Sequence, residues 1–414
     1  MKYYCSLLLL CTFLSNVRAQ ERNSKFLKQL IYEQASPALK HILAHPDSFQ
    51  YQLIYTKIDR GRDNRPQLSN YYLNVDSTRY FNPASTVKLP TVLLALEKVH
   101  RLPVKGIDKY TTMLTDSGYS RQTEVAEDSS AEDGLPSIAQ YARKVFLVSD
   151  NDAYNRLYEF VGQQTLNEGL WKKGYKNVRI VRRFVAMNED ENRHTNPVRF
   201  MKDGQLLYKQ PPEVATVKYD FSRPVFFGKG HWDAQDHLIE RPMDFTTHNN
   251  LPLQALQRLL QSVIFPETVP AWQRFELNDD DYRFLYQYMS ELPSESAYPE
   301  YDTVEYFDSY TKFFLFKDGK RKLPLNIRVF NKTGWSYGFL TDAAYIVDFE
   351  HKVEFMLCGV IYVNRDGILN DNKYEYESLG YPFFREIGEI IYRYELSRKR
   401  KNEPRLDKFR CTYQ

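Results

Sequence analysis

Apolar positions change period along the chain, and each change predicts a change of element. Residues 49–58 and 70–74 are rich in Tyr, Leu and Ile and flank the turn-forming run Asp59-Arg60-Gly61-Arg62-Asp63-Asn64, which is the pattern of an early antiparallel pair. Leu89, Val92, Leu93, Leu96 and Val99 then recur at helical spacing, and Pro90 is compatible with that helix because it falls in the first turns after Ser85. Ile138, Tyr141, Ala142, Val145 and Val148 mark a second helix over 137–148. Ala153, Leu157, Phe160 and Val161 mark a third that stops at Gly162, a natural residue just past a helix end. Residues 252–264 and 279–292 read as two more, the second opened by an acidic first turn that suits the helix dipole.

Beyond residue 300 the pattern becomes strand-like, at 313–316, 327–330, 343–349 and 353–363, before a last helix with Phe384, Ile387, Ile391 and Tyr394 on one face. Strands at both ends with helices between them predict an α+β fold, in which an antiparallel sheet flanked by helices is joined by a helical lobe. The expected division is an α/β part at 20–100 and 325–396, a helical lobe at 101–200 and an insertion-rich region at 200–325. A basic tail at 397–414 completes the chain, and no internal repeat is visible.

The first residues change where the chain is expected to work. Met1-Lys2-Tyr3-Tyr4 precedes an apolar run from Ser6 to Leu14, and Val17 and Ala19 supply the small residues of a signal-peptidase site, so 1–19 reads as a secretory signal. The run is too short to be retained as a span, so the expected product is periplasmic or secreted, begins near Gln20 and has no membrane span after signal cleavage. Cys5 and Cys11 would leave with the signal. Of the remaining pair, Cys358 and Cys411, the first lies in an apolar run where a buried free thiol is common.

Aromatic content of 15%, with 32 Tyr, suits a packed globular protein. A formal charge of +3 gives no electrostatic case for nucleic acid as a partner. The one basic cluster, Arg398-Lys399-Arg400-Lys401, reads as a solvated tail.

Three short motifs carry candidate chemistry. In Ser85-Thr86-Val87-Lys88, at a helix start, residues three apart share a face, so the Lys88 amine can serve as base for the Ser85 hydroxyl once burial depresses its pKa. The helix N-terminus adds N–H groups where an oxyanion would form. A second Ser-x-x-Lys, Ser309-Tyr310-Thr311-Lys312, shows how weak that motif is alone. In Ser149-Asp150-Asn151 a hydroxyl can relay a proton and an amide can bind a carbonyl or a lysine, although all three residue types also favour plain helix caps. In Lys332-Thr333-Gly334 the first two residues can bind a carboxylate, and Gly334 lets a ligand approach the backbone.

In this order, and on these elements, the trio resembles class A β-lactamases and penicillin-binding proteins. The interval from Ser85 to Ser149 is close to the family's own, and Phe81-Asn82-Pro83-Ala84 with Trp335 resembles a divergent β-lactamase-like subgroup. The resemblance implies a serine hydrolase in which Ser85 is acylated, Lys88 is the base, Ser149 relays the proton and Asn151 binds substrate. It also implies that Lys332 and Thr333 hold the substrate's acidic end, and that the N–H groups of Ser85 and Trp335 form the oxyanion hole. No cofactor or metal is expected, and the partner is a small-molecule β-lactam or a peptidoglycan-derived peptide. The segment His231-Trp232-Asp233-Ala234-Gln235-Asp236-His237 lacks helical metal-ligand spacing and reads as polar insertion surface.

Two departures qualify the resemblance. The chain from Pro197 to Lys332 is far longer than in compact relatives, and the insertions at 200–250 and 295–325 could wall the pocket or bind a partner. At the position of the family's water-activating glutamate, alignment of Arg179 to Asn188 gives Phe184, which cannot act as a base. Glu189 and Glu191 could substitute if the loop is remodelled. β-Lactam hydrolysis is the leading expectation. A penicilloyl-binding sensor, or a D,D-peptidase or esterase with slow lactam turnover, is the alternative.

Overall fold

Every residue of the strands Phe339–Asp348 and Val353–Tyr362 is buried. Runs of this kind need both faces of their sheet covered, and they are covered here. The structure, a computed structural model, describes residues 23–413, so the expected signal at 1–19, with Cys5 and Cys11, lies outside the described residues.

In chain order the structure runs α1 (Lys25–Gln34), α2 (Pro37–Ala44), β1 (Gln52–Arg60), β2 (Pro66–Leu73), α3 (Lys88–His100), β3 (Thr112–Thr115), α4 (Ile138–Leu147), α5 (Asn151–Val161) and α6 (Gln163–Lys172). It continues through β4 (Val198–Lys202), β5 (Gln205–Gln210), α7 (Leu253–Ile264), α8 (Asp279–Ser290), β6 (Ile327–Ser336), β7 (Phe339–Asp348), β8 (Val353–Tyr362) and α9 (Tyr381–Ser397), with short strands and turns between. The fold is α+β, as the pattern predicts. Its main sheet is antiparallel in the order β6-β7-β8-β1-β2, so the two ends of the chain share it through pairs such as Ile54↔Cys358.

One apolar cluster fills the space between the sheet and the helical lobe, with Leu93, Tyr154, Leu256, Phe330 and Tyr345 among its members. A second, on the opposite face, joins Leu27 and Ile31 of α1 and Leu39 of α2 to Ile346, Phe355, Phe384 and Ile387. Among the described residues no helix is long and apolar enough to cross a membrane. Cys358 is buried, and both it and Cys411 are free thiols.

The structure corrects the sequence reading in two places outside the site. Phe313–Phe316 is not a strand: Phe314 is extended, Leu315 turns back at φ 72°, and all four side chains are buried. Gly388 of α9 makes room for this turn, because a Cβ there would lie 2.6 Å from the Leu315 nitrogen. A short buried apolar run looks the same in sequence whether it is pleated or folded back.

The basic tail is not a solvated appendage. The Arg398 side chain is 8% exposed and bonds Glu395 at 2.8 Å and Asp59 at 2.5 Å, leaving only Lys399 and Lys401 of the cluster exposed. Further on, Phe409 is fully buried against Phe265, Tyr286, Phe330 and Tyr345. Phe409→Ala should therefore cost about 3–5 kcal/mol of unfolding free energy in urea titrations. An unchanged midpoint would show that the tail contributes nothing to the core.

Candidate active site

The turn before α3 is built by its own short polar groups. Asn82 Oδ1 accepts from the Ala84 N–H at 3.1 Å, Ala84 is held at φ 44°, and the Pro83 carbonyl accepts from the Thr86 N–H at 3.1 Å and the Thr86 hydroxyl at 2.6 Å. The result is a 3₁₀ turn, Ala84–Val87, that leads directly into α3. Three residues per turn stack the Ser85 and Lys88 side chains on one edge. Within residues 81–90 only Ser85 is not fully buried.

Lys88 is dry. Its amine donates to the Ser149 carbonyl and, at 2.7 Å, to Asn151 Oδ1, and it lies 3.4 Å from the Ser149 hydroxyl. The rings of Phe184 and Tyr154 face it at 5.1 and 5.9 Å. Burial, reinforced by the nearby Lys332 charge, holds its pKa well below the ordinary lysine range.

Ser149 adopts the left-handed conformation, φ 63°, which costs a non-glycine residue about 1 kcal/mol. The cap of α5 is supplied next door, where Asp150 accepts from the Ala153 N–H at 2.8 Å. The capping role predicted as the plain alternative therefore belongs to Asp150, and Ser149 and Asn151 are left to the lysines. Lys332 reaches the same hydroxyl from the sheet, donating to Ser149 Oγ and to the Thr333 carbonyl, both at 2.8 Å. Burial pushes its pKa down to about 7 against the pull of Asp342, with Lys312 adding to the depression.

β6 continues past Phe330 to Ser336, so the third motif lies within the edge strand rather than after it. Tyr337 and Gly338, at φ 53° and 82°, make the two-residue turn to β7. Counting back from the closing pair Ser336↔Phe339, Thr333 and Trp335 fall at the non-hydrogen-bonded positions, so their N–H and C=O groups face the free edge. The Ser85 turn lies against that strand. A Cβ on Gly334 would sit 2.7 Å from the Ser85 nitrogen and 2.8 Å from the Pro83 oxygen. The approach that Gly334 permits is thus that of the protein's own Ser85 turn. Thr333 also departs from expectation. It is fully buried and its hydroxyl has no partner among the described residues.

Ser85, Ser149, Asn151, Phe184 and Trp335 line one cavity of about 860 Å³. Both insertions wall it: the first with Ala234, His248 and Asn249, the second with Tyr306 and Tyr310. The Trp335 ring stands edge-on to Tyr310 at 5.7 Å. Tyr337 and Asn370 complete the rim, and nothing in their local sequence marks them.

Glu189 and Glu191 do not reach this cavity. Glu191 closes a capping box with Asn188 and is gripped by Ser120 at 2.6 Å and Arg121 at 2.6 Å, and these bonds hold its carboxyl down at about 2. Glu189 pairs with Arg193 at 3.3 Å and faces a separate hollow. The loop that carries Phe184 is fixed instead by Arg183, buried against Glu159 at 2.9 Å and against the carbonyls of Glu191 and His194. Its neighbour Arg182, which sequence reading did not single out, lines the cavity half-buried and without a carboxylate partner among the described residues.

Lys312 of the second Ser-x-x-Lys bonds the Met289 and Val329 carbonyls and Asn331 Oδ1, and Ser309 bonds the Gly319 carbonyl, so that pair forms no site. Asp233 of the polar insertion segment accepts from the N–H groups of Gln235 and His237, closing its own turn. Because Gly334 meets backbone atoms only, Gly334→Ala should cost about 1–3 kcal/mol, read as a lowered thermal midpoint. An unshifted midpoint would mean that the strand and the Ser85 turn can part freely.

Residues 38–213 match the beta-lactamase enzyme family, a stretch that holds the first two motifs but not the third. No curated protein matches the chain. Among solved structures, the TLA-1 extended-spectrum β-lactamase shares 15% identity and a TM-score of 0.50, covering 87% of this chain and 98% of its own. A β-lactamase from Sphaerobacter thermophilus DSM 20745 shares 12% identity and a TM-score of 0.46, over 86% of this chain and 96% of its own. The chain is thus similar to the beta-lactamase enzyme family over residues 38–213, less than half of its length, and similar to solved β-lactamases in its fold.

Proposed function

We propose that the chain is an exported serine hydrolase that forms an acyl-enzyme at Ser85, with β-lactams as the leading substrates. The observation that carries this reading is the double engagement of Ser149, whose backbone and hydroxyl hold Lys88 while its hydroxyl accepts from Lys332. A neutral amine has two N–H donors and one lone pair. With its two donors on the Ser149 carbonyl and Asn151 Oδ1, a neutral Lys88 keeps a lone pair that can accept a proton, and in this reading the proton comes from Ser85.

In the proposed reaction Ser85 Oγ bonds to the amide carbon as its proton passes to Lys88. The carbonyl oxygen takes up the displaced electron pair between the N–H groups of Ser85 and Trp335. As the C–N bond breaks, the proton moves from Lys88 through the Ser149 hydroxyl to the leaving nitrogen. Lys332, when charged, attracts the carboxylate on the nitrogen side of the bond.

Hydrolysis of the ester then needs a base for water. Among the described residues Asp150 is the one carboxylate in the cavity wall, and it is engaged as a helix cap. Phe184 stands beside Lys88 where relatives keep a glutamate. Acylation should therefore outrun deacylation. Phe184 also favours the second reading, a penicilloyl-binding sensor or a peptidoglycan-directed D,D-peptidase or esterase, over an efficient β-lactamase.

Mass spectrometry of protein treated with a penicillin should find one adduct, on Ser85, and none in Ser85→Ala. Adduct on Ser309 would overturn the assignment. Lys88→Ala should slow acylation by at least about 10²-fold, as expected for a positioned base.

For pH, Lys332 attracts a carboxylate only while protonated. The acylation rate constant for carboxylated lactams should fall as pH rises through about 7, and Lys332→Arg should move that limb beyond the range studied, since a guanidinium stays charged. A flat wild-type profile from pH 6 to 9 would remove Lys332 from substrate capture. Finally, burst kinetics should show one product per enzyme followed by slow turnover that Phe184→Glu accelerates. Fast turnover without a burst would show that another group activates the water.

A further inference from the structure

We propose that Arg182 is an anion-binding residue of the Ser85 cavity, and that the natural substrate carries a second negative charge on the acyl side of the bond attacked. This rests on the acyl-transfer reading above. In a β-lactam, or at a peptide C-terminus, the carboxylate assigned to Lys332 lies on the nitrogen side of the scissile bond. A further anion held by a different wall belongs to the acyl portion.

Arg182 and Arg183 are adjacent, yet their surroundings differ. Arg183 is buried and neutralised by Glu159 at 2.9 Å. Arg182 stays half-buried, lines the cavity, and meets no carboxylate among the described residues. Its backbone is pinned on both sides: its N–H donates to Asn249 Oδ1 at 3.1 Å and its carbonyl accepts from the Tyr154 hydroxyl at 2.8 Å. The root of the side chain is therefore set before any ligand arrives, which lowers the ordering cost of binding.

No carboxylate among the described residues is paired with Arg182, although Asp150 shares its cavity and Asp244 acts on the neighbouring His248. Asp150 caps α5, and Glu189, in the adjoining hollow of about 220 Å³ that Arg182 also lines, is paired with Arg193. Arg179 is committed to the carbonyls of Asp220, Thr246 and His248. His248, which borders both spaces, is held neutral near pH 7 because burial first and Arg182 second push its pKa down to about 3.

A cavity of about 860 Å³ lies toward the upper end for small-ligand sites, so a substrate can extend from Ser85 to this guanidinium. A planar guanidinium that meets no carboxylate among the described residues is matched by a carboxylate in bidentate geometry. A charge-assisted bond of this type corresponds to about a 10- to 100-fold preference.

The test compares two penicillins that differ only by a carboxylate on the acyl side chain. Acylation rate constants, read from intact mass at low ionic strength, should favour the carboxylated compound at least about 10-fold in the wild type. The ratio should fall close to one in Arg182→Gln and survive in part in Arg182→Lys. An equal ratio in the wild type and Arg182→Gln would overturn the proposal. Because each protein must still acylate with the penicillin that lacks the acyl-side carboxylate, misfolding is visible separately.

A second arm does not depend on acylation. Calorimetry on Ser85→Ala with an N-succinyl and an N-acetyl peptide, each ending in a free carboxylate, should show tighter binding of the succinyl form, lost in Ser85→Ala/Arg182→Gln. If neither penicillin labels Ser85, the acyl-transfer reading fails, and this binding comparison still decides the role of Arg182. No succinyl preference there would overturn it.

Discussion

Two buried lysine amines meet at the hydroxyl of one serine in the cavity wall. Lys88 is fully buried, Lys332 is 2% exposed, and both lie within bonding reach of Ser149. Two ammonium groups cannot be accommodated so close in a low-dielectric interior, since mutual repulsion adds to the desolvation that each already suffers. Their surroundings differ. Lys88 has only neutral acceptors, the Ser149 carbonyl and the Asn151 amide oxygen, and burial holds it well below the ordinary lysine range. Lys332 has Asp342 behind it, which draws its pKa back toward neutrality. One fold thus holds two buried amines of depressed pKa side by side, with a carboxyl group behind only one of them.

That constraint organises the chain around it. The three groups come from the N-terminal half, the helical lobe and the C-terminal sheet, and they meet only because β8 pairs with β1 and brings β6 round to the Ser85 turn. The sheet is rigid where it matters, with both faces covered by apolar clusters. Gly334 then sets how closely the edge strand can press on the Ser85 turn. The long insertions leave this frame intact because they run between its elements and contribute only wall residues such as His248 and Tyr306.

The elements with long, strongly periodic apolar patterns were legible in the sequence: α3, α4, α5, α7, α8, α9 and the strands of the main sheet. The motif residues were legible for the same reason that they are recognisable chemistry, a fixed spacing on a helix or strand. The rest depends on the third dimension. Whether Phe313–Phe316 pleats or turns is settled by the space beside Gly388. Whether Glu191 is a base or a cap depends on Arg121, 70 residues away. The tail was misread because positive charge in sequence looks solvated, whereas the buried Glu395 beneath it needs a counter-charge. Arg182 was invisible because nothing local distinguishes it from Arg183. α1, α2 and α6 are short and bury only two to four side chains each, too few to establish a period.

Phe184 bears on the second half of the proposed reaction in a way that the lysines do not. An aromatic face near an amine attracts its cationic form, yet burial acts on Lys88 in the opposite sense and outweighs it. What the ring contributes is mainly volume. It occupies, beside Lys88, the region in which a hydrolytic water would need both a base and space, and it offers neither. Tyr154 closes the same side from α5, so the amine that helps to form the ester is screened by aromatic carbon once the ester exists. In the proposed mechanism the lifetime of the acyl-enzyme is therefore a built property of the site. It follows from an apolar side chain held in place by the Asn155 side chain, which accepts from the Phe184 N–H at 2.7 Å.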